Sequence, residues 1–222
     1  FYKSRSAEFI TFPNYQWDVY AFTSDNTKVF TNAQFSEPMD PNAWEIPAGV
    51  SVIDITAGND LLESDVLVTI PVSGDIHAGT VSADGDTAYF VGSEGLTVVD
   101  TSNSDPSLWS IVRTISTPGS SVDVRLTVDG NTAHVADGDN GLTFIDISGS
   151  QPSSWSVVNT IATAGHAFRV VSSSDGNTIF VSETNVSGDY GGITQLVFAT
   201  PSSFSETSSS AAIDVNPVND QP

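Results

Sequence analysis

The sequence predicts an all-β fold: a β-propeller of four recognisable four-stranded blades, preceded by one extra strand and open to being part of a larger ring. Three sets of markers carry this reading. Asp84-Gly85, Asp129-Gly130 and Asp175-Gly176 open matching turns 45 and 46 residues apart. Asp54, Asp100 and Asp146 close matching apolar runs, each 46 apart, and Ile70, Ile115 and Ile161 close another set, 45 and 46 apart. A period near 45 that holds four short apolar runs is the mark of a propeller blade.

The elements follow in chain order. SAEFITF (residues 6–12) alternates like a strand and passes through Pro13-Asn14-Tyr15-Gln16 into the first unit, so it reads as the fourth strand of a unit whose beginning lies upstream. The predicted propeller domain is 1–212, with blades at about 17–70, 76–115, 121–161 and 166–212. The first strand of each blade enters the second through a turn: Ser24-Asp25-Asn26-Thr27, then Asp84-Gly85-Asp86-Thr87, Asp129-Gly130-Asn131-Thr132 and Asp175-Gly176-Asn177-Thr178. Asp and Asn bond their own backbone in such turns and Gly accepts positive φ, which makes the pattern a strong hairpin signal. Strands rich in Val, Ile, Thr, Phe and Tyr follow, and no window carries a helical stripe. Blade one has a long insertion at 32–48 between its second and third strands, and blade four a shorter one at 183–192. Trp109 and Trp155 stand at the same place before strand four and read as blade-packing residues, with Phe204 in the matching place of blade four. Residues 202–210 are nearly all polar, and 213–222 (IDVNPVNDQP) reads as a domain-end strand and linker. If the strand at 211–215 is only linker, SAEFITF can close a four-bladed ring as its last outer strand; if it completes blade four, as the placing of Pro201 and Phe204 favours, SAEFITF is left over for a blade missing upstream or for another molecule.

Composition bounds the function. Six basic residues stand against 27 acidic ones in 222, a net charge of −21. Such a surface repels nucleic acid and anionic membranes and favours solubility and divalent cations. No run approaches the ~20 apolar residues of a membrane span, so no membrane insertion is expected. There is no cysteine, hence no disulfide, thiolate metal site or Cys nucleophile. Residue 1 is Phe rather than Met, which leads us to expect a processed product, an excised domain or a partial chain.

Gly95-Leu96-Thr97-Val98-Val99-Asp100 and Gly141-Leu142-Thr143-Phe144-Ile145-Asp146 resemble the LVIVD-type repeat of propeller domains in bacterial and archaeal surface proteins. The runs before them, ADGDTAYFVGSEG and VDGNTAHVADGDNG, resemble the first hairpin of the same repeat, and the likeness covers about residues 15–200. Unit one departs from it by its insertion, and unit four by ending Gln195-Leu196-Val197-Phe198 without Asp. The tail IDVNPVNDQP resembles the junction of cadherin-like repeats in large bacterial adhesins. That resemblance implies a longer parent protein outside the cytoplasm, secreted or at the cell surface, and calcium held by Asn219 and Asp220, less surely by Asp214.

In a propeller the second-to-third and fourth-to-first connections share one face. Both insertions emerge there, with Tyr15, Trp17, Phe35, Trp44 and Tyr190 among Glu37, Asp40, Glu45, Glu94, Asp137, Asp139, Glu183 and Asp189. Aromatics among carboxylates on such loops suit a glycan or protein ligand, with calcium as a bridging ion; variable loops without a ligand are the plain alternative. Asp137-Gly138-Asp139-Asn140-Gly141 has carboxylates at alternate positions, as calcium loops do, and reads either as a cation site or as a hairpin turn. Asp60, Glu63 and Asp65 read as a solvated loop, and the sequon Asn185-Val186-Ser187 lies in the second insertion.

His134 aligns with Tyr89 and Phe180 on strand two and reads as packing. His77 and His166 lie near the starts of innermost strands, on the insertion face, as candidate ligand contacts or a shared metal site. Asp123, Arg125 and Arg169 fall on one face of innermost strands, where charges are either paired between blades or turned to a ligand. No nucleophile elbow, zinc-protease motif, phosphate loop or dinucleotide fingerprint occurs. The sequence therefore leads us to expect a non-catalytic extracellular module that mediates adhesion or assembly through its loop face or edge strands. Its partners would be a protein, a glycan or copies of itself. A calcium-dependent hydrolase of the lactonase or phytase kind is the alternative.

Overall fold

A computed structural model describes residues 19–32, 49–56, 66–174, 176–184 and 190–197. Fifteen antiparallel strands occur among these residues, in four sheets. The first sheet holds β1 (Val19–Phe22), β2 (Lys28–Asn32), β3 (Val50–Asp54) and β4 (Val66–Ile70) in that order. The second holds β5 (Ile76–Val81), β6 (Thr87–Gly92), β7 (Gly95–Asp100) and β8 (Ser110–Ile115). The third holds β9 (Asp123–Leu126), β10 (Thr132–Ala136), β11 (Leu142–Asp146) and β12 (Ser156–Ile161). The fourth holds β13 (His166–Ser172), β14 (Thr178–Thr184) and β15 (Tyr190–Val197). The leading strand at 6–12, a fourth strand for the last sheet and the linker at 213–222 fall outside the described residues. The first strands of successive sheets are neighbours, β1 to β5 to β9 to β13, as in a propeller.

Each of the three sequence markers has a local cause. Asp84 accepts from the Ser82 hydroxyl at 2.6 Å and the Asp86 amide at 3.1 Å; Asp129 accepts from Thr127 and Asn131 at the same two distances. The Asp54, Asp100 and Asp146 carboxylates accept the amides of Thr56, Ser102 and Ser148 at 2.8–2.9 Å. These hydrogen bonds, first from the hydroxyls and then from the amides, hold all five carboxyls below the usual aspartate range. Much of the acidity thus serves turn closure. The isoleucine marker works through glycine: Gly95 (φ 101°) and Gly141 (φ 88°) sit against the carbonyls of Ile115 and Ile161, where a Cβ has no room.

In the second and third sheets the middle strands are buried on both faces, because a neighbouring sheet lies on each side; β6 and β7 are almost wholly buried, while the fourth strands β8 and β12 are largely exposed. Three apolar clusters fill the gaps. Phe30, Val50, Val52 and Ile70 meet Ala88, Phe90 and Val99 between sheets one and two. Tyr89, Val91, Leu96 and Val98 meet Val124, Val135, Ile145 and Trp155 between sheets two and three. Ala136, Leu142 and Phe144 meet Ala167, Val170, Ile179 and Val181 between sheets three and four. Each full burial of such a side chain stabilises by about 1.5–3 kcal/mol.

Candidate functional site

The loops on the predicted ligand face interlock among the described residues. Near the start of the first strand the ladder shifts register by one residue, at Tyr20 in β1, His77 in β5 and Phe168 in β13. A bulge of this kind re-aims the extra side chain. The Tyr20 hydroxyl donates to the Ile76 carbonyl of the next sheet at 2.9 Å, and His77 Nδ1 lies 2.7 Å from the Ser121 carbonyl of the sheet after. That short contact places the imidazole proton on Nδ1. His77, expected to meet a ligand or share a metal, spends that nitrogen tying two sheets together.

Asp137 is fully buried. Its carboxylate accepts the Gly119 amide at 3.0 Å, the Ser121 hydroxyl at 2.9 Å and the Thr143 hydroxyl at 3.1 Å. It joins the loop before β9 to the loop between β10 and β11. The next residue, Gly138, accepts the Ala167 amide at 2.9 Å, and Asp139 pairs with His166 Nδ1 at 2.8 Å. The run 137–141 is therefore a three-loop clasp, in which Asp137 faces protein donors and Asp139 faces the fourth sheet. Among the described residues no group of three or more His, Asp or Glu side chains is placed to hold a metal ion. Tyr190 opens β15 opposite Thr184. Tyr15, Trp17, Phe35, Trp44, Asn219 and Asp220 lie outside the described residues.

His134 is buried against Phe144, ring centroids 5.1 Å apart, and its Nδ1 lies 3.1 Å from the Ser172 hydroxyl of the fourth sheet. Burial pushes its pKa down to about 4, against a smaller upward pull from Asp129. Trp109 stacks on Phe30 at 5.6 Å and Trp155 on Tyr89 at 6.3 Å, each across a sheet boundary, and their indole N–H groups donate to loop carbonyls. Both are blade-packing residues.

Asp123, Arg125 and Arg169 come together. The buried Asp123 carboxylate accepts the Val170 amide of the next sheet at 3.0 Å. Its other oxygen lies 3.8 Å from Arg125 and 3.9 Å from Arg169. The pairing crosses the boundary between the third and fourth sheets. Sequence reasoning missed the clasp at Asp137. The one signal for it was the Gly-x-Ser at 119–121 preceding an Asp-Gly loop.

The LVIVD repeat family matches this chain at residues 76–114 and 118–163, which are the second and third sheets. No curated protein sequence matches it. Among solved structures, a Kuenenia stuttgartiensis hydrazine synthase superposes with a TM-score of 0.61 at 18% identity, over 88% of this chain and 49% of that one. A putative 6-phosphogluconolactonase from Bacteroides uniformis gives 0.57 at 14%, over 83% and 56%. The dihydro-heme d1 dehydrogenase NirN gives 0.54 at 15%, over 83% and 38%. The chain thus spans about half or less of the proteins it resembles. These likenesses correct the expectation of a non-catalytic module: the fold is shared with enzymes, so the missing local motifs are no ground for excluding catalysis. At such identities the likeness carries the fold and assigns no activity. The second and third sheets thus match the LVIVD repeat, and the chain that contains them has a β-propeller fold.

Proposed function

We propose that the chain is an assembly and adhesion module of a larger cell-surface protein, and that it assembles through the outer face of its fourth sheet. One comparison of equivalent residues carries the reading. Strand two of each sheet has a ring at the same register position: Phe30, Tyr89, His134 and Phe180. In the first three sheets the next sheet covers that ring, leaving it 0%, 4% and 4% exposed. Phe180 is 38% exposed. Its cross-strand partner Val171 is also exposed, as are Ile193 and Val197 two residues either side of its other partner, Gln195. An apolar sheet face built like the covered ones fits another sheet of the same type.

A second copy of the chain supplies such a sheet. The adhesin-like tail supports a place outside the cytoplasm. The test is sedimentation equilibrium over a wide concentration range. The wild-type chain is expected to associate, and Phe180→Asp with Ile193→Asp to remain monomeric with an unchanged circular-dichroism spectrum. A wild-type chain that stays monomeric at the highest concentration overturns the proposal.

A further inference from the structure

We propose that Arg125 and Arg169 form a binding site for an oxyanion, the carboxylate or phosphate group of a ligand. The chain has six basic residues, four of them described: Lys28, Arg113, Arg125 and Arg169. Two of these four converge on one carboxylate oxygen, that of Asp123. In a chain of net charge −21, such a local surplus of positive charge stands out against the field around it.

Asp123 does not use up the two arginines. Charge-assisted N–H···O bonds run to about 2.7–2.9 Å, whereas the two contacts here are 3.8 and 3.9 Å. One Asp123 oxygen is already bonded to the Val170 amide. A guanidinium carries five donors. Arg125 spends one, on the Val124 carbonyl at 3.1 Å, and Arg169 lies on the Phe168 ring, 4.9 Å from its centroid, with no hydrogen bond among the described residues. The arginine side chains are 46% and 54% exposed while Asp123 is 2% exposed. The unspent donors therefore face solvent, and the carboxylate sits behind them as an anchor.

The backbone arranges this. Asp123 pairs with Ala136 on β10, and Arg169 with Ser182, the matching rung on β14; Arg125 lies two residues beyond Asp123 on the same face. The bulge between Ala167 and Arg169 turns the Arg169 side chain relative to the strand behind it. The Phe168 ring lies under the guanidinium carbon, 4.9 Å away, on one side. Two planar forks beside one another, each with an open edge, match an oxyanion that takes several N–H donors.

The test is an NMR titration of the whole chain at constant ionic strength with sodium glucuronate, sodium phosphate and neutral glucose. Saturable shifts are expected at the Val170 amide and its neighbours with glucuronate, and none with glucose. A response to phosphate as well widens the site to oxyanions at large; a response to glucuronate alone restricts it to carboxylates; a response to phosphate alone restricts it to phosphates. Arg125→Gln and Arg169→Gln each lower affinity at least tenfold in a folded chain. Asp123→Asn keeps an acceptor for Val170 and removes the competing charge, so affinity rises several-fold. The proposal is overturned if neither anion gives a saturable shift, if both arginine variants bind as the wild type does, or if folded Asp123→Asn binds no better.

Discussion

The boundary between the first and second sheets and the boundary between the third and fourth are built from the same strands in the same register, yet from different chemistry. At the first, Phe30 meets Phe90 at 5.3 Å and Trp109 at 5.6 Å, with aliphatic side chains around them. At the second, the equivalent ring is His134, bonded to Ser172, and beside it stand the Asp123 bond to Val170 and the pair of Asp139 with His166. One boundary rests on aromatic burial. The other adds polar bonds that fix orientation, and its His134 responds to pH. A repeat thus keeps its backbone while its sheets acquire different roles, and the polar boundary is where both the clasp at Asp137 and the arginine pair are found.

Breaking the aromatic boundary carries the largest expected cost. Phe30 is fully buried, and Phe30→Ala leaves a cavity that the flanking Val50, Val52 and Phe90 cannot close. The expected loss is about 3–5 kcal/mol, measured by urea denaturation. His134→Ala is expected to cost less at pH 8, because a smaller ring and one hydrogen bond are removed.

Acid sharpens the comparison. The His134 pKa is lowered to about 4 in the fold, against about 6.5 in the unfolded chain. Between these values the unfolded chain binds a proton that the folded one does not. Stability is therefore complete above about pH 6.5 and falls as pH drops toward 4, by about 3 kcal/mol at most. Replacing His134 with Phe, the residue at the equivalent positions 30 and 180, removes this slope. Denaturation midpoints measured at pH 7.5 and 4.5 check it; a slope unchanged in His134→Phe assigns the acid response to another group.

The parts of this architecture that the sequence disclosed are those with a local cause. The Asp-Gly turns, the strand-ending aspartates and the isoleucines each act within a few residues or against the adjacent strand, so their spacing reveals the blade directly. His134 was legible as packing because it aligns with Tyr89 and Phe180, and the two tryptophans because they stand at the same place before strand four. The roles of His77 and Asp137 were not. His77 sits at a bulge, and a one-residue shift in the ladder brings its ring to the Ser121 carbonyl of the neighbouring sheet. Asp137 stands in a loop with alternating acids, as a cation ligand would, and only the fold brings Gly119, Ser121 and Thr143 around it. Side chains whose partners come from another sheet leave no periodic trace.

The smallest expected effect separates what the two boundaries share from what they do not. Asp84 and Asp129 close the same turn in the second and third sheets, each with a hydroxyl and an amide donor at matching distances, and Asp129 also accepts the Asn131 side-chain amide at 3.0 Å. Both lie at the surface, and each acts on the ring of its own strand two, Tyr89 or His134, only through an electrostatic effect smaller than that of burial. Each replacement by Ala removes the acceptor of a turn-closing amide, and the expected loss is about 0.5–1.5 kcal/mol, near the net value of a hydrogen bond. The Asp129 loss should exceed the Asp84 loss by no more than the one extra hydrogen bond from Asn131, because the turn is independent of the boundary chemistry. Their pH dependence differs from that of His134 in its window: the carboxyls are held below their ordinary value, so their contribution is complete above about pH 4 and disappears only in stronger acid. Urea midpoints of Asp84→Ala and Asp129→Ala at pH 7 and pH 3 test this. A larger difference at pH 7 means that the turn is coupled to the sheet boundary behind it, and the separation of a shared scaffold from specialised boundaries then fails.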